Sequence, residues 1–374
     1  MRTLLAVATT LMLTSVPSCE PNSSRMRTTP ADGTFVVKPV KNPEFHDNEL
    51  FRAYEDYYSP RVKRLRERYK LDDVVRSEAD EWRRILLLRQ WIHTHIRIED
   101  QHPTSSKPEA FDILDKALGG GGFHCEHFSI VQDAVLNSFG YVARRLGCGP
   151  GLKDEGGHHG VNEVWVNKFA KWVIIDAKND LYFEKDGVPL SALEIRDEVW
   201  KDGGKSVVPV FGVNGKSPGE ASYQAFDVNP TTYRWCSWET ATNRFTAWPS
   251  SLTSTLVMLD DDIFRNNTWY RDGEPHWAYD TPYLIETTQR GWIEWTPNVI
   301  ASNVKINGAK ANISLTSFTP NFKTYQMKRG DGKWTDCEID VELPLTDASN
   351  RFTFRSVNLF GVTGPEHVVQ IDRQ

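Results

Sequence analysis

Gly119-Gly-Gly-Gly-Phe-His-Cys-Glu-His-Phe-Ser129, His158-His-Gly-Val-Asn-Glu-Val-Trp165 and Lys171-Trp-Val-Ile-Ile-Asp176 are the three pieces of sequence that decide how this chain folds. After the glycine run, Phe128, Val131, Val135 and Phe139 recur at the spacing of one helical face, which predicts a helix from Cys125 to Phe139. Cys125 then stands at a helix start. Unmatched N–H groups and the positive end of the helix dipole favour an anion there, and a thiol pKa can fall from about 8.5 to about 3.5–7.5. The other two pieces read as strands: Val161, Val164 and Val166 with Trp165, then Trp172 to Ile175, joined by a turn over Lys168 to Lys171. Antiparallel pairing brings His159, early in the first strand, beside Asp176 at the end of the second. Cysteine, histidine and carboxylate thus follow in the order of a thiol triad, in which imidazole takes the thiol proton and the carboxylate fixes its tautomer.

Those residues resemble the transglutaminase-like superfamily of papain-type folds, where a Gly-x-Cys helix start precedes His-x-x-x-Glu-Val on one strand and Trp-x-x-x-Asp on the next. The matching positions are Cys125, His159 with Glu163 and Val164, and Trp172 with Asp176; Gly140-Tyr-Val-Ala-Arg144 matches the strand that usually follows the helix. The resemblance covers Glu81 to Asp180. It departs from the pattern at Phe123, with Gly122 one place early, at Val161 where Trp is frequent, and at Glu126 where Gly is frequent. Glu126 would tend to raise the neighbouring thiol pKa. The fold implied is α+β: a papain-like, transglutaminase-like core of N-terminal helices and antiparallel sheet, followed by a C-terminal β-sandwich.

Outward from this region, the 374 residues suit two or more domains, and 39% hydrophobic with 25% charged residues is an ordinary globular composition. A net charge of -6 gives no reason to expect nucleic acid as a partner. Residues 1–18 carry Arg2 and an apolar run from Leu4 to Leu13, too short to span a bilayer, and read as a secretory signal. Val16-Pro-Ser-Cys19 resembles a bacterial lipobox, which makes Cys19 the expected lipidation site, 19–34 a tether, and the address exported and lipid-anchored to a membrane. With Cys19 and Cys125 so assigned, three of the five cysteines remain, Cys148, Cys236 and Cys337, enough for at most one disulfide among them.

The expected catalytic unit is 35–300. Within it Glu49 to Tyr69 is helix-prone but interrupted at Pro60, Glu78 to Ile98 is a strong helix, Pro103 to Pro108 a loop, and Ala110 to Leu118 a short helix. Gly119 to Gly122 lacks the Gly-Lys-Ser/Thr of a phosphate loop, and close backbone approach to a substrate is the expected role. Ser191 and Glu194 form a capping-box signature for a helix ending near Asp202. Seven tryptophans fall between Tyr223 and Ile300, as core or as the wall of a binding groove. From 301 to 374, alternation at Val304–Ile306, Ile313–Leu315, Tyr325–Met327, Ile339–Val341 and Phe352–Phe354 predicts a small antiparallel β-sandwich, and Arg355–Asn358 with Gly361 and Gly364-Pro365 resembles the last hairpin of an immunoglobulin-like module.

His93, His95, His124, His127, His158 and His159 suggest metal, but HExxH and Cys-x-x-Cys are absent, and no metal or other cofactor is expected. Asp260 to Asp262 lacks calcium-loop spacing and reads as a solvated turn. The function expected is acyl transfer at amide bonds of a protein, peptide or glycopeptide, with hydrolysis favoured. Crosslinking by amine transfer, and a non-catalytic surface lipoprotein that binds glycan or peptide, are the alternatives.

Overall fold

The computed structural model describes residues 29–31, 35–99, 109–150, 158–215, 228–247, 255–263, 270–271, 274–275 and 284–374, and the statements below concern these. The signal segment 1–18, Cys19, most of the tether 19–34, the Pro103 to Pro108 loop, and Trp248, Trp269 and Trp277 lie outside them.

The chain is α+β. Helices α1 (Pro60–Arg68), α2 (Leu71–Val75), α3 (Glu81–His95), α4 (Ala110–Leu118) and α5 (Cys125–Ser138) precede most of the sheet. Pro60 does not interrupt α1 but begins it, capped by Ser59; proline suits the first helical position because its missing N–H would have had no partner there. The segment before it is not helical and is instead tied across the chain: Asn48 accepts from Phe51 N–H, and Glu55 accepts from Phe245 and Thr246 N–H. Asp80 caps α3, so that helix is shorter at both ends than periodicity suggests. Helix α6 (Ala192–Asp202) carries the Ser191/Glu194 capping box and ends on Gly203 in the left-handed conformation at φ 81°.

A six-stranded sheet forms the centre, in the order Leu284–Thr287, Leu256–Leu259, Trp235–Glu239, Ala143–Gly149, His159–Val166, Lys171–Ile175. Its pairings are antiparallel except the first, which is parallel. One face packs Val164, Val166, Val173 and Ile175 against Val131, Val135 and Phe128 of α5 and against α3. The other packs Val161, Trp165, Trp172 and Ile174 against Leu193 and Ile195 of α6 and against Trp238 and Trp295. Alternate strand residues therefore serve two cores, which is why these strands read as nearly continuous apolar runs.

Two further sheets make the C-terminal sandwich around Ile313, Leu315, Phe352, Phe354, Val369 and Ile371. One holds Thr29–Ala31, Ile300–Asn307, Lys310–Ser317 and Asp340–Pro344 in that order. The other holds Phe35–Lys38, His367–Arg373, Ser349–Asn358, Phe322–Arg329 and Thr335–Cys337. The segment after Gly364-Pro365 is thus a further strand, signalled by the alternation of His367-Val-Val-Gln-Ile371. Phe35–Lys38, at the start of the expected catalytic unit, pairs antiparallel with Gln370 to Arg373 and belongs to the sandwich.

Candidate active site

Cys125 is the first residue of α5, and the fold brings it to the beginning of the His159–Val166 strand. The two elements meet at Gly160, where an added Cβ would lie 3.3 Å from Glu126 Cα and 3.5 Å from Glu126 N. Glycine there lets the helix start press onto the strand. The four-glycine run does other work: Gly119 ends α4, Gly120 adopts φ 92°, and Gly122–Phe123 pairs in parallel with Arg97–Ile98. Gly122 has no room for a side chain, since its Cβ would fall 2.5 Å from Glu99 Cβ.

His159 is fully buried, and its Nε2 lies 2.8 Å from Asp176 Oδ2. Nδ1 is the ring nitrogen left to face the thiol. Asp176 follows the last residue of the Lys171–Ile175 strand and is held at both oxygens: Asn179 N–H donates to Oδ1 at 3.1 Å and Asn179 Nδ2 to Oδ2 at 2.8 Å. Burial pushes this carboxyl up, but the charge and hydrogen bond of His159 and the donors of Asn179 outweigh it and hold the group below the usual carboxylate range. The same contest runs at the thiol. Burial raises it, while hydrogen bonds from His124 and His159, the charge of His159 and the Gly160 N–H bring it down to about 6.

Glu126 does not lift the thiol out of that range; it is paired with Arg145 at 3.6 Å, which also lies 3.3 Å from Glu239. His158 lies elsewhere, with Cε1 2.5 Å from the place a Gly147 Cβ would occupy. Its pKa is lowered, first by burial and then by His159. Among the other described cysteines, burial pushes Cys236 well up and Cys337 up to about 11, the latter helped by Asp336 and Glu338. Cys148 is buried, and its Sγ donates to His159 O at 3.5 Å.

The remaining candidates are dispersed. His93 Nδ1 meets Lys178 O at 2.9 Å, and His95 stacks on Trp91 with ring centroids 4.3 Å apart. Asp261 accepts from both terminal nitrogens of Arg196. Among the described residues no group of three or more His, Cys, Asp or Glu is placed to hold a metal ion. Of the four described tryptophans from the tryptophan-rich stretch, Trp235, Trp238 and Trp295 are core and Trp292 is exposed. A cleft of about 540 Å³ lies at the far end of α5, between Arg66, Tyr141, Lys168 and Phe360, and includes none of Cys125, His159 and Asp176.

Residue-by-residue reading of the sequence passed over two members of the site, Gly160 and Asn179, and weighed a third, His124, only as a metal ligand. Asn179 had a local signal, an amide three residues after the carboxylate in a turn-forming Asp-Ala-Lys-Asn-Asp run. Gly160 had none, because its requirement comes from a helix that reaches it through the fold.

No family model matches the chain, and no curated protein matches it. Thirty-three chains of solved structures do. One is the crystal structure of "a Putative Cysteine Protease from Cytophaga hutchinsonii", 17% identical over 33% of this chain and 40% of that one, with a TM-score of 0.27. The match spans two fifths of that protein's length.

Proposed function

We propose that the protein is a thiol-dependent acyl-transfer enzyme of the transglutaminase-like type, acting on amide bonds through Cys125, His159 and Asp176. One observation carries the reading: a thiol at a helix start is hydrogen-bonded by an imidazole whose Nε2 is 2.8 Å from a buried carboxylate. The Cys125 sulfur attacks the amide carbonyl carbon. The oxygen that becomes negative is met by the Cys125 N–H, one of the donors a helix leaves unmatched in its first turn. His159 gives its proton to the departing amine, leaving a thioester. Water then attacks the thioester as His159 takes its proton, and the acid and the thiolate–imidazolium pair are released.

Hydrolysis is the favoured outcome, on a protein, peptide or glycopeptide. Transfer to an amine needs a site that orients the amine and excludes water. Glu163, a carboxylate of the motif, does not serve: it is buried and accepts from Arg144, Trp238 and Ala192. The test supplies a glutamine-containing protein and a labelled primary amine, and follows amine incorporation beside new peptide termini. New termini that vanish in Cys125→Ala are expected; incorporation without them overturns the hydrolase reading.

The same proposal includes export and a lipid anchor at Cys19, supported by Val16-Pro-Ser-Cys19 behind an apolar run. Wild-type protein should partition with membranes and Cys19→Ser should not. Recovery of the wild type wholly in the soluble fraction would refute it.

A further inference from the structure

We infer that His124, the residue before the nucleophile, is a positioning residue that presents a second imidazole to the Cys125 sulfur and favours its thiolate. This rests on the reading of Cys125 as the nucleophile. Helix α5 opens on an imidazole, where serine, threonine, aspartate or asparagine is usual. His124 is extended, at φ -97° and ψ 179°, and its Nδ1 accepts from Glu126 N–H at 3.3 Å. A nitrogen that accepts carries no proton, so the neutral ring bears its hydrogen on Nε2 and is a donor on its other edge.

The ring is held a second time by His127, set edge-on to it with centroids 4.2 Å apart. His127 is itself buried against Phe123, 5.0 Å between centroids, and Phe123 belongs to the strand pair with Arg97–Ile98. Turning His124 away would uncap the helix and break the edge-on ring contact. The ring so held hydrogen-bonds the Cys125 sulfur, as does His159. Their tasks differ. His159, coupled to Asp176, moves the proton, whereas His124 is oriented by a backbone N–H and stabilises charge.

The other charges around the sulfur come in opposed sets. On α5 itself Glu126 faces Arg145 of the neighbouring strand, and Arg145 also reaches Glu239 from the strand beyond. Beside Gly122, Arg97 pairs with Glu99 at 2.8 Å. His158 precedes His159 on its strand, and burial keeps it toward the neutral form. What remains to offset burial of the thiolate is the helix start, the Gly160 N–H and the two imidazoles.

Two substitutions separate the ring from the cap. His124→Asn keeps an N-cap acceptor and removes the imidazole; His124→Asp keeps the acceptor and adds a negative charge. The rate of iodoacetamide alkylation at Cys125 in the folded full chain, read by mass spectrometry from pH 4 to 9, gives the thiol titration without any substrate, and the melting temperature is followed alongside. Wild type should inflect near about 6. His124→Asn should inflect about one pH unit higher and His124→Asp higher still, with little change in melting. A wild-type profile in His124→Asn, or a shift seen only together with a collapse in melting, overturns the inference. His159→Ala is the control. If it moves the profile while His124→Asn does not, the inference fails and the nucleophile stands; if wild type itself inflects near the ordinary thiol value of about 8.5, both fail.

Discussion

Glu163 offers the sharpest test of how the core carries the site. It sits on the same strand as His159, is 1% exposed, and gathers four donors. Arg144 Nε and Nη2 reach its Oε2 at 3.0 and 2.6 Å, Trp238 Nε1 reaches the same oxygen at 2.7 Å, and Ala192 N–H at the start of α6 reaches Oε1 at 2.7 Å. Arg144 is equally buried and lies 3.9 Å from the Trp172 ring centroid and 4.8 Å from that of Phe51. Glu163→Ala leaves a guanidinium without its counter-charge, about 3–5 kcal/mol, and strands the Trp238 and Ala192 donors at about 1–3 kcal/mol each. A loss of about 5 kcal/mol or more follows, close to the whole stability of a modest domain. Glu163→Gln keeps the shape and should lose about 3 kcal/mol; adding Arg144→Met should return at least about 1 kcal/mol, because no buried charge then remains uncompensated. Equilibrium urea unfolding read by tryptophan emission suits the question, since Trp172 and Trp238 flank the pair. A loss under about 1 kcal/mol for Glu163→Ala, or a double variant worse than Glu163→Gln, would refute the reasoning.

Three further outcomes are expected. His159→Ala should lower turnover by about 1000-fold or more, while His158→Ala, which removes no contact with Asp176, should cost less than about tenfold; measured kcat/KM with one amide substrate decides. Asn179→Ala removes the side-chain bond to the Asp176 carboxylate and leaves the backbone one, and should cost about 1.5 kcal/mol in the barrier, about a tenfold drop in kcat, with a comparable loss of folding stability. Burial lowers His367 to about 4 in the sandwich, so its contribution to stability is full above the unfolded value near 6.5 and disappears as pH falls through 4. Unfolding free energy measured between pH 7 and pH 4 should fall in wild type by up to about 3 kcal/mol more than in His367→Gln.

What was legible in the sequence was local. The period of Phe128, Val131 and Val135, the Ser191/Glu194 box and the two short strands each needed only neighbouring residues, and α5, α6 and the central hairpin appear where those signals lie. The spacing of Cys125, His159 and Asp176 was readable because one helix and one hairpin carry all three. Contacts made late in the chain were not readable. Nothing within Phe35-Val-Val-Lys38 says that its partner is Gln370 to Arg373. Nor does the charged run at Glu49 to Tyr69 announce that Glu55 is spent on Phe245 and Thr246. The tryptophans fall between these cases: their number left core and binding groove both open with core the commoner outcome, and Trp235, Trp238 and Trp295, each 4% exposed or less, have no face for a ligand.

The same long-range contacts make the sandwich continuous with the α+β core. Trp172 Nε1 donates to Trp295 O at 2.7 Å, the two rings meet at 5.6 Å, and Trp295 meets Phe318 of the sandwich edge-on at 5.2 Å. At the far end of α5, Gly140 has φ 80° and no space for a Cβ because Phe360 would lie 2.4 Å from it, while Asn358 Nδ2 donates to Gly140 O at 2.9 Å. Asn298 N–H donates to Phe318 O, and Ser356 Oγ to Asn298 O. A chain cut to 35–300 would lose the partner of Phe35–Lys38, the cover over Trp295 and the Phe360 wall of α5. Each lost aromatic contact removes about 1.5–3 kcal/mol of burial, and the exposed edge of Phe35–Lys38 invites association. The truncated chain should therefore be recovered aggregated, or should melt far below the full protein, with Cys125 alkylated no faster than in urea at pH 6. A soluble 35–300 chain that melts cooperatively and keeps the full-length alkylation profile would mean that the sandwich only decorates a core that folds without it.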